Sequence, residues 1–190
     1  VDAHCAALPN TPRMPFTPFH MGAGLIAKAA VDRHISLISF AVAQIAMDIE
    51  PGLGLLTGAA TLHGWSHMVG GALVIAGLVT AIARPIVPWL VARWNCEVTH
   101  YRVSWLAVTE PFTWSAAAAG ACFGTLSHIA LDALMHADMH PFAPIHAANP
   151  LLWRVAHDTV YSMCALGALV GLVAWILRKR AGRSPRNTGV

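Results

Sequence analysis

The sequence predicts an all-α integral membrane protein, a helical bundle with four to five transmembrane helices. Of its 190 residues, 56% are apolar and only 11% are charged, and the mean hydropathy is +0.57. A soluble domain carries about 25% charged residues and leaves much of its surface in water when it is this small. The composition therefore excludes an ordinary soluble domain and indicates the lipid bilayer as the main partner.

The bundle is predicted from apolar runs that are long enough, or nearly so, to cross a bilayer, which takes about 20 helical residues. Four such runs cover residues 34–47, 66–83, 113–135 and 159–177. A fifth run, 16–31, is interrupted by His20 and Lys28, so it predicts either a tilted span or a half-inserted helix. Five spans are the main prediction, and four spans are the alternative.

Proline and glycine are expected to mark the connections between these runs. Pro51-Gly52 follows the second run in chain order, and Pro85 and Pro88 follow the third. Within the third run, Gly70, Gly71 and Gly77 form a small-residue pattern that lets membrane helices approach closely, within one chain or between two.

The chain is predicted to form one transmembrane helical domain, 14–178. Residues 179–190 are predicted to be a basic cytoplasmic tail. Residues 1–13 lack the basic and apolar regions of a cleavable signal. They are expected to be disordered, or an extension upstream of a start at Met14.

Lysine and arginine orient the predicted bundle, because cytoplasmic loops collect these residues. If the basic tail lies inside, Lys28 and Arg33 fall at an inner turn, and residues 84–112 form an inner loop with three arginines. The segment 49–65, which has no lysine or arginine, falls outside. Five spans then place the N-terminus outside and the C-terminus inside, whereas the four-span alternative places both inside.

Histidine is the second anomaly, with 11 in the chain. In the predicted orientation, polar side chains collect at the outer ends of the helices. They are His20, Asp48, Glu50, His63, His67, His128, Asp132, His136, Asp138 and His140. Residues four apart share a helix face, so His128, Asp132 and His136 present ligands to one point or to neighbouring ions. Imidazole and carboxylate ligands suit a divalent metal, with zinc as the first choice.

Four short motifs resemble a bacterial inner-membrane family of metal-dependent hydrolases, itself distantly similar to zinc-dependent phospholipase C. They are His20-Met-Gly-Ala-Gly24, Met47-Asp48-Ile49-Glu50, Gly64-Trp65-Ser66-His67 and His128-Ile-Ala-Leu-Asp132 with the loop to Pro144. The chain departs from the family where Pro-Asp-x-Asp reads Met-Asp-x-Glu, where His63 replaces a basic residue, and where the loop after Asp132 lacks a glycine.

This resemblance implies hydrolysis by a metal-activated water, in a protein of the bacterial inner membrane. The residues allow the same chemistry. The predicted metal ligands are His20, Asp48, His63, His67, His128, Asp132 and His136. Asp48 and Glu50 are the predicted catalytic residues, with Glu50 either a general base or a partner that orients a ligand. A site at the outer membrane surface favours an amphiphilic, lipid-like substrate.

Other functions remain open from the sequence. A transporter or ion-binding protein could use the same ligands, but it would need a polar path that continues inward. A non-catalytic membrane protein could use the cluster to fix helix packing. Nucleic-acid binding has little support, because the formal net charge is only +3 and the single basic run is the final tail.

Overall fold

A computed structural model describes residues 17–181, so the predicted extension 1–13 and residues 182–190 of the predicted tail lie outside the described residues. All regular secondary structure in the described residues is helical, which confirms the predicted fold class. Its five α-helices are α1 (Met21–Val31), α2 (Leu37–Thr57), α3 (Val69–His100), α4 (Trp114–Met135) and α5 (His157–Ala181).

Four of these helices, α2 to α5, are long and apolar enough to cross a membrane. The first run differs from the five-span prediction, because α1 has only 11 residues and is about 16 Å long at 1.5 Å per residue. Because His20 and Lys28 interrupt this run, the sequence also allowed a half-inserted helix, and the short length of α1 fits that alternative. α5 continues to Ala181, so the first residues of the predicted tail are helical.

Proline does not end the helices where the sequence predicted connections. α2 runs through Pro51 and ends only at Gly58, whose φ of 71° is left-handed. α3 runs through Pro85 and Pro88 for 32 residues, so most of the predicted inner loop is helix. Each proline removes one backbone hydrogen bond, a loss that membrane helices tolerate where neighbouring groups compensate.

The close approach of α2 and α4 brings the polar residues of the two helices together. The Ser36 amide donates to the Ala116 carbonyl at 2.9 Å where both helices begin, and they run in the same direction from there. A Cβ atom added to Gly120 would lie 2.3 Å from the Ser36 carbonyl oxygen. Only glycine fits this contact, which keeps Gln44 of α2 beside His128 of α4.

α3 packs antiparallel against this pair through alanines rather than through its glycines. Ala76 and Val79 of α3 pack in one buried cluster with Ala43 of α2 and Ala121 of α4. Gly70 and Gly77, by contrast, have nothing within 4 Å of an added Cβ. Of the three glycines in the predicted small-residue pattern, Gly71 alone makes a close approach: an added Cβ would lie 2.1 Å from the Trp65 carbonyl oxygen, in the turn that precedes α3, and not against another of the described α-helices.

α1 and α5 lie side by side and run in the same direction. Gly22 contacts the Cys164 backbone near their first turns, and Arg178 donates to the Ala30 carbonyl at 3.0 Å near their ends. This far end of the bundle also holds ion pairs of Lys28 with Asp32 and of Lys179 with Glu110. The predicted metal ligands lie at the opposite end.

We predict that Gly120→Ala lowers the free energy of unfolding by about 1–3 kcal/mol, because the new methyl group meets backbone that cannot move aside. Gly77→Ala is the matched control, since it adds the same group in open space and improves helix propensity by up to about 1 kcal/mol. Thermal unfolding in detergent measures both. Equal unfolding midpoints for the two variants would contradict the tight α2–α4 contact.

Candidate metal centre

Five predicted ligands from four parts of the chain meet in the interior at one end of the bundle. His20 precedes α1, Asp48 lies on α2, His67 precedes α3, and His128 and Asp132 lie one turn apart on α4. His20, His67, His128 and Asp132 are each no more than 3% exposed. The side chain of Asp48 is 33% exposed, so it marks the open side of the group.

The donor atoms of this group converge on Asp132. Its Oδ1 lies 3.4 Å from Nε2 of His20, and its Oδ2 lies 3.5 Å from Nε2 of His67 and 3.1 Å from Nε2 of His128. Nε2 of His128 is also 3.3 Å from Oδ1 of Asp48. Ring nitrogens from three parts of the chain thus face the Asp132 carboxylate, and Asp48 faces the same nitrogen of His128 from the exposed side.

The spacing and the unmet bonding capacity of these atoms fit a metal ion. Bonds of about 2.0–2.1 Å in a tetrahedral site place neighbouring ligand atoms roughly 3.3 Å apart, which matches the distances around Asp132. The three Nε2 atoms and Oδ1 of Asp132 are buried without a hydrogen-bond partner among the described residues. Because unpaired buried polar groups are costly, such convergence calls for a ligand.

Gln44 fixes the orientation of His128. Its Oε1 lies 2.5 Å from Nδ1 of His128, and its amide nitrogen donates to the Gly124 carbonyl at 3.1 Å. With the proton of His128 on Nδ1, the Nε2 lone pair is free to bind a metal. Sequence reasoning missed Gln44, although an amide four residues before Asp48 in an apolar run was a usable signal.

Glu50 reaches the centre indirectly, through Ser66 and His67. Its carboxylate accepts the Ser66 hydroxyl hydrogen bond and also backbone hydrogen bonds from Trp65 at 3.1 Å and Ser66 at 2.8 Å. Ser66 Oγ lies 2.8 Å from Nδ1 of His67. This chain of contacts holds His67 with Nε2 toward Asp132, and Glu50 itself is a positioning residue in this arrangement.

Gly64 makes room for Glu50. A Cβ atom added at Gly64 would lie 2.4 Å from Oε1 of Glu50. This explains why a glycine stands at position 64 in the motif that contains His67. The glycine lets the Glu50 carboxylate reach the short 3-10 turn, Trp65–His67, that carries the histidine.

Burial keeps two of the histidines neutral. Desolvation lowers the pKa of His20 and of His67, and in both cases the nearby carboxylate of Asp132 opposes the shift only in part. A neutral imidazole is the form that binds a metal, so the environment favours the binding state of both side chains.

A second group of side chains adjoins the first. His63, His136 and Asp138 offer ligand atoms within 4.8 Å of one another, and so do His63, His67 and Asp132. The rings of His63 and His136 stack with centroids 4.4 Å apart. The sequence analysis placed Asp138 among the polar side chains at the outer helix ends but did not predict it as a metal ligand. In the structure, Asp138 contacts His63.

Asp138 holds the segment that carries His63. Its Oδ2 accepts the backbone amides of Leu62 at 3.0 Å and His63 at 3.2 Å, and its Oδ1 lies 2.9 Å from Nδ1 of His63. Desolvation acts to raise the pKa of Asp138, but the backbone hydrogen bonds from Leu62 and His63 and the interaction with the His63 side chain outweigh it and lower the pKa to about 2.

The remaining described histidines lie outside the centre. His140 is exposed, with Nδ1 2.6 Å from the Ala147 carbonyl oxygen. His146 contacts Ala148 in the same loop, and His34 lies beside Arg33 at the far end of the bundle. None of these three histidines belongs to a possible ligand group among the described residues.

Comparison with protein-family models, curated proteins and solved structures finds no match to this chain.

We predict that Gln44→Leu weakens metal binding by about 10–100-fold, because His128 loses the acceptor that fixes its ring. Ser127→Ala is the matched control: it removes a contact to the amide nitrogen of Gln44 and leaves the contact to His128 intact. Competition titration with a chromophoric chelator measures both affinities. A Gln44→Leu variant with wild-type affinity would contradict the orienting role.

Proposed function

We propose that this protein is a membrane-embedded, metal-dependent hydrolase that cleaves a phosphoester or another ester of an amphiphilic substrate. The observation that carries the proposal is the convergence of the Nε2 atoms of His20, His67 and His128 on Asp132, buried and without other partners. Asp48 completes the set on the exposed side.

The donor set fits a divalent ion, with zinc as the first choice. Three imidazoles and carboxylate oxygens are typical ligands of catalytic zinc. An ion held by these residues would lower the pKa of a bound water and, as a Lewis acid, would polarise the phosphoryl or carbonyl oxygen of the ester. The chain's own residues hold the ligands in place: Gln44 fixes His128, and Glu50 with Ser66 fixes His67.

The open side of the centre supports an amphiphilic substrate. Asp48 is the most exposed member of the five-residue group, and its neighbours Ile45 and Ile49 on α2 are 61% and 56% exposed. Apolar side chains on a candidate membrane span face lipid. A substrate with an apolar tail in the bilayer can therefore bring its polar head to Asp48 without leaving the membrane.

The charge distribution supports a site toward the outer face of a bacterial inner membrane. Lys28, Arg178 and Lys179 cluster at the end of the bundle opposite the centre. Because basic residues collect on the cytoplasmic side, this end is proposed to lie inside. A reporter fused to the C-terminus tests this orientation. A periplasmic signal would show that the protein has the opposite orientation, with the centre toward the cytoplasm.

Packing beneath the centre favours hydrolysis over ion transport. Below Asp48 and His128, the interface of α2, α3 and α4 is filled by Ala43, Ala76, Val79 and Ala121, and then by Ala83, Val87 and Ala117. A transport path needs polar groups or water along its length, and this apolar packing closes the way toward the basic end.

We predict that purified protein binds zinc and hydrolyses the headgroup ester of lipid extracts in a chelator-sensitive way. His128→Ala and Asp132→Asn are expected to reduce both metal content and hydrolysis at least tenfold, because each removes a shared donor. His146→Ala is the control and should leave both unchanged. Metal analysis and headgroup release are the measurements, and metal binding without any ester hydrolysis would contradict the enzymatic proposal.

Glu50→Gln separates the two roles that the sequence left open for Glu50. As a positioning residue, it acts through Ser66, so Glu50→Gln and Ser66→Ala should both weaken zinc affinity, by about 10–100-fold. A general base would behave differently: Glu50→Gln would lose hydrolysis at full metal occupancy, and Ser66→Ala would be nearly silent. Comparing kcat at saturating zinc with the zinc Kd distinguishes these outcomes.

A further inference from the structure

We propose that the end of the bundle opposite the metal centre binds the phosphate group of an anionic phospholipid. The site is a cavity of about 310 Å³ between α1, α5 and the loop that precedes α4. The side chains that carry the argument are Lys28, Asp32, Glu110, Trp175, Arg178 and Lys179. The inference does not rest on the proposed hydrolysis, because none of these residues belongs to a possible ligand group of the metal centre.

Positive charge exceeds negative charge in this cavity. Two of the three cations among the described residues that line it form ion pairs, Lys28 with Asp32 at 3.3 Å and Lys179 with Glu110 at 3.2 Å. Arg178, the third cation, donates to two backbone carbonyls instead. Carbonyl oxygens satisfy hydrogen bonds of the guanidinium but do not cancel its charge. The excess of one positive charge matches the single negative charge of a phosphodiester.

The carboxylate of Glu110 is already engaged by the two lysines. Desolvation acts to raise the pKa of Glu110, but hydrogen bonds to its own amide and to Lys179, together with the charges of Lys179 and Lys28, outweigh it and lower the pKa. The side chains of Lys28 and Lys179 are only 16% and 12% exposed. Because partly buried charges are screened less than exposed ones, an anion in the cavity would be strongly attracted.

The walls of the cavity are held by contacts outside it. Asn95 of α3 fixes the loop wall, because its side-chain amide donates to the Val108 carbonyl at 2.8 Å and accepts the Val108 amide at 2.8 Å. In the α5 wall, Nε1 of Trp175 is buried without a hydrogen-bond partner among the described residues. This wall therefore contains an unsatisfied donor, and phosphate oxygens are strong acceptors.

The volume of the cavity suits a headgroup. Small-molecule sites usually have about 300–1,000 Å³, so this cavity lies at the lower end of that range. A phosphate with its nearest headgroup atoms is of this size, whereas the acyl chains of a phospholipid are much larger and would stay outside.

Exposed apolar side chains beside the cavity make a lipid the source of the phosphate. Val173 and Leu177 neighbour Trp175 and Arg178 on α5 and are 47% and 60% exposed. Since α5 is long and apolar enough to cross a membrane, such side chains face acyl chains. A phospholipid that lies against α5 can place its phosphate in the cavity while its chains remain in the bilayer. Basic pockets between membrane helices bind lipid headgroups in this way.

The test is native mass spectrometry of the full-length protein in detergent, titrated with phosphatidylglycerol. The wild type should retain this lipid, and Arg178→Gln should weaken its binding by about tenfold or more, because hydrogen bonds to charged groups are strong. Arg93→Gln is the matched control, since Arg93 is exposed and pairs with Glu97 outside the cavity. Wild-type affinity in Arg178→Gln, or an equal loss in Arg93→Gln, would overturn the assignment.

A second variant covers the case in which Arg178→Gln fails to fold. Thr109 also lines the cavity, so Thr109→Trp fills it without changing the charge and should lose the lipid. His128→Ala should retain the lipid, because it alters only the metal centre. Lipid retained by folded Thr109→Trp, or lost from folded His128→Ala, would overturn this inference and leave the proposed function standing.

Competition identifies the source of the phosphate. Phosphatidylcholine should displace phosphatidylglycerol poorly, because its headgroup adds a positive charge to a cavity that already has an excess. Inorganic phosphate at the same concentration should not displace the lipid, because it lacks acyl chains. Displacement by inorganic phosphate would overturn the lipid as the ligand, and equal affinity for phosphatidylcholine would overturn the requirement for an anionic headgroup.

Discussion

The structure depends on one constraint: a buried carboxylate, Asp132, surrounded by imidazoles inside an apolar bundle. Moving such groups out of water costs several kcal/mol each unless they find partners. Nε2 of His128 lies within hydrogen-bond distance of Oδ2 of Asp132, but Oδ1 of Asp132 has no hydrogen-bond partner among the described residues, so the imidazoles satisfy the carboxylate only in part. A bound cation would compensate for the desolvation, and the surrounding helices fix the positions of its ligands.

The close packing of small residues makes this arrangement possible. α2 and α4 approach through Gly120, and α3 fits against them through alanines. Since the backbones lie so close, side chains as short as aspartate reach across the helix interface. Bulkier residues at these contacts would push the helices apart and separate Asp48 from His128. Such substitutions would disrupt the geometry of the centre even though every ligand residue is unchanged.

A ring of supporting hydrogen bonds surrounds the ligands. Gln44, Ser66 and Asp138 each engage Nδ1 of one histidine, and Glu50 holds the turn that carries Ser66. Rotation of an imidazole would expose the wrong nitrogen, so these contacts set which atom points inward. The rigid support is consistent with donor atoms whose positions are fixed before an ion binds.

The sequence by itself determined the environment, the helical class and most of the polar residues at the site. Apolar composition requires lipid, and spacing by four places residues such as His128 and Asp132 on one helix face, because both properties are local. It predicted the helix ends poorly: Pro51, Pro85 and Pro88 lie within helices, and the run around His20 forms only a short one. Only the tertiary structure decided that Gln44 contacts His128, that Glu50 contacts Ser66, and that Asp138 contacts His63. Those contacts join residues 16 to 84 positions apart, and no periodicity in the sequence encodes such distances.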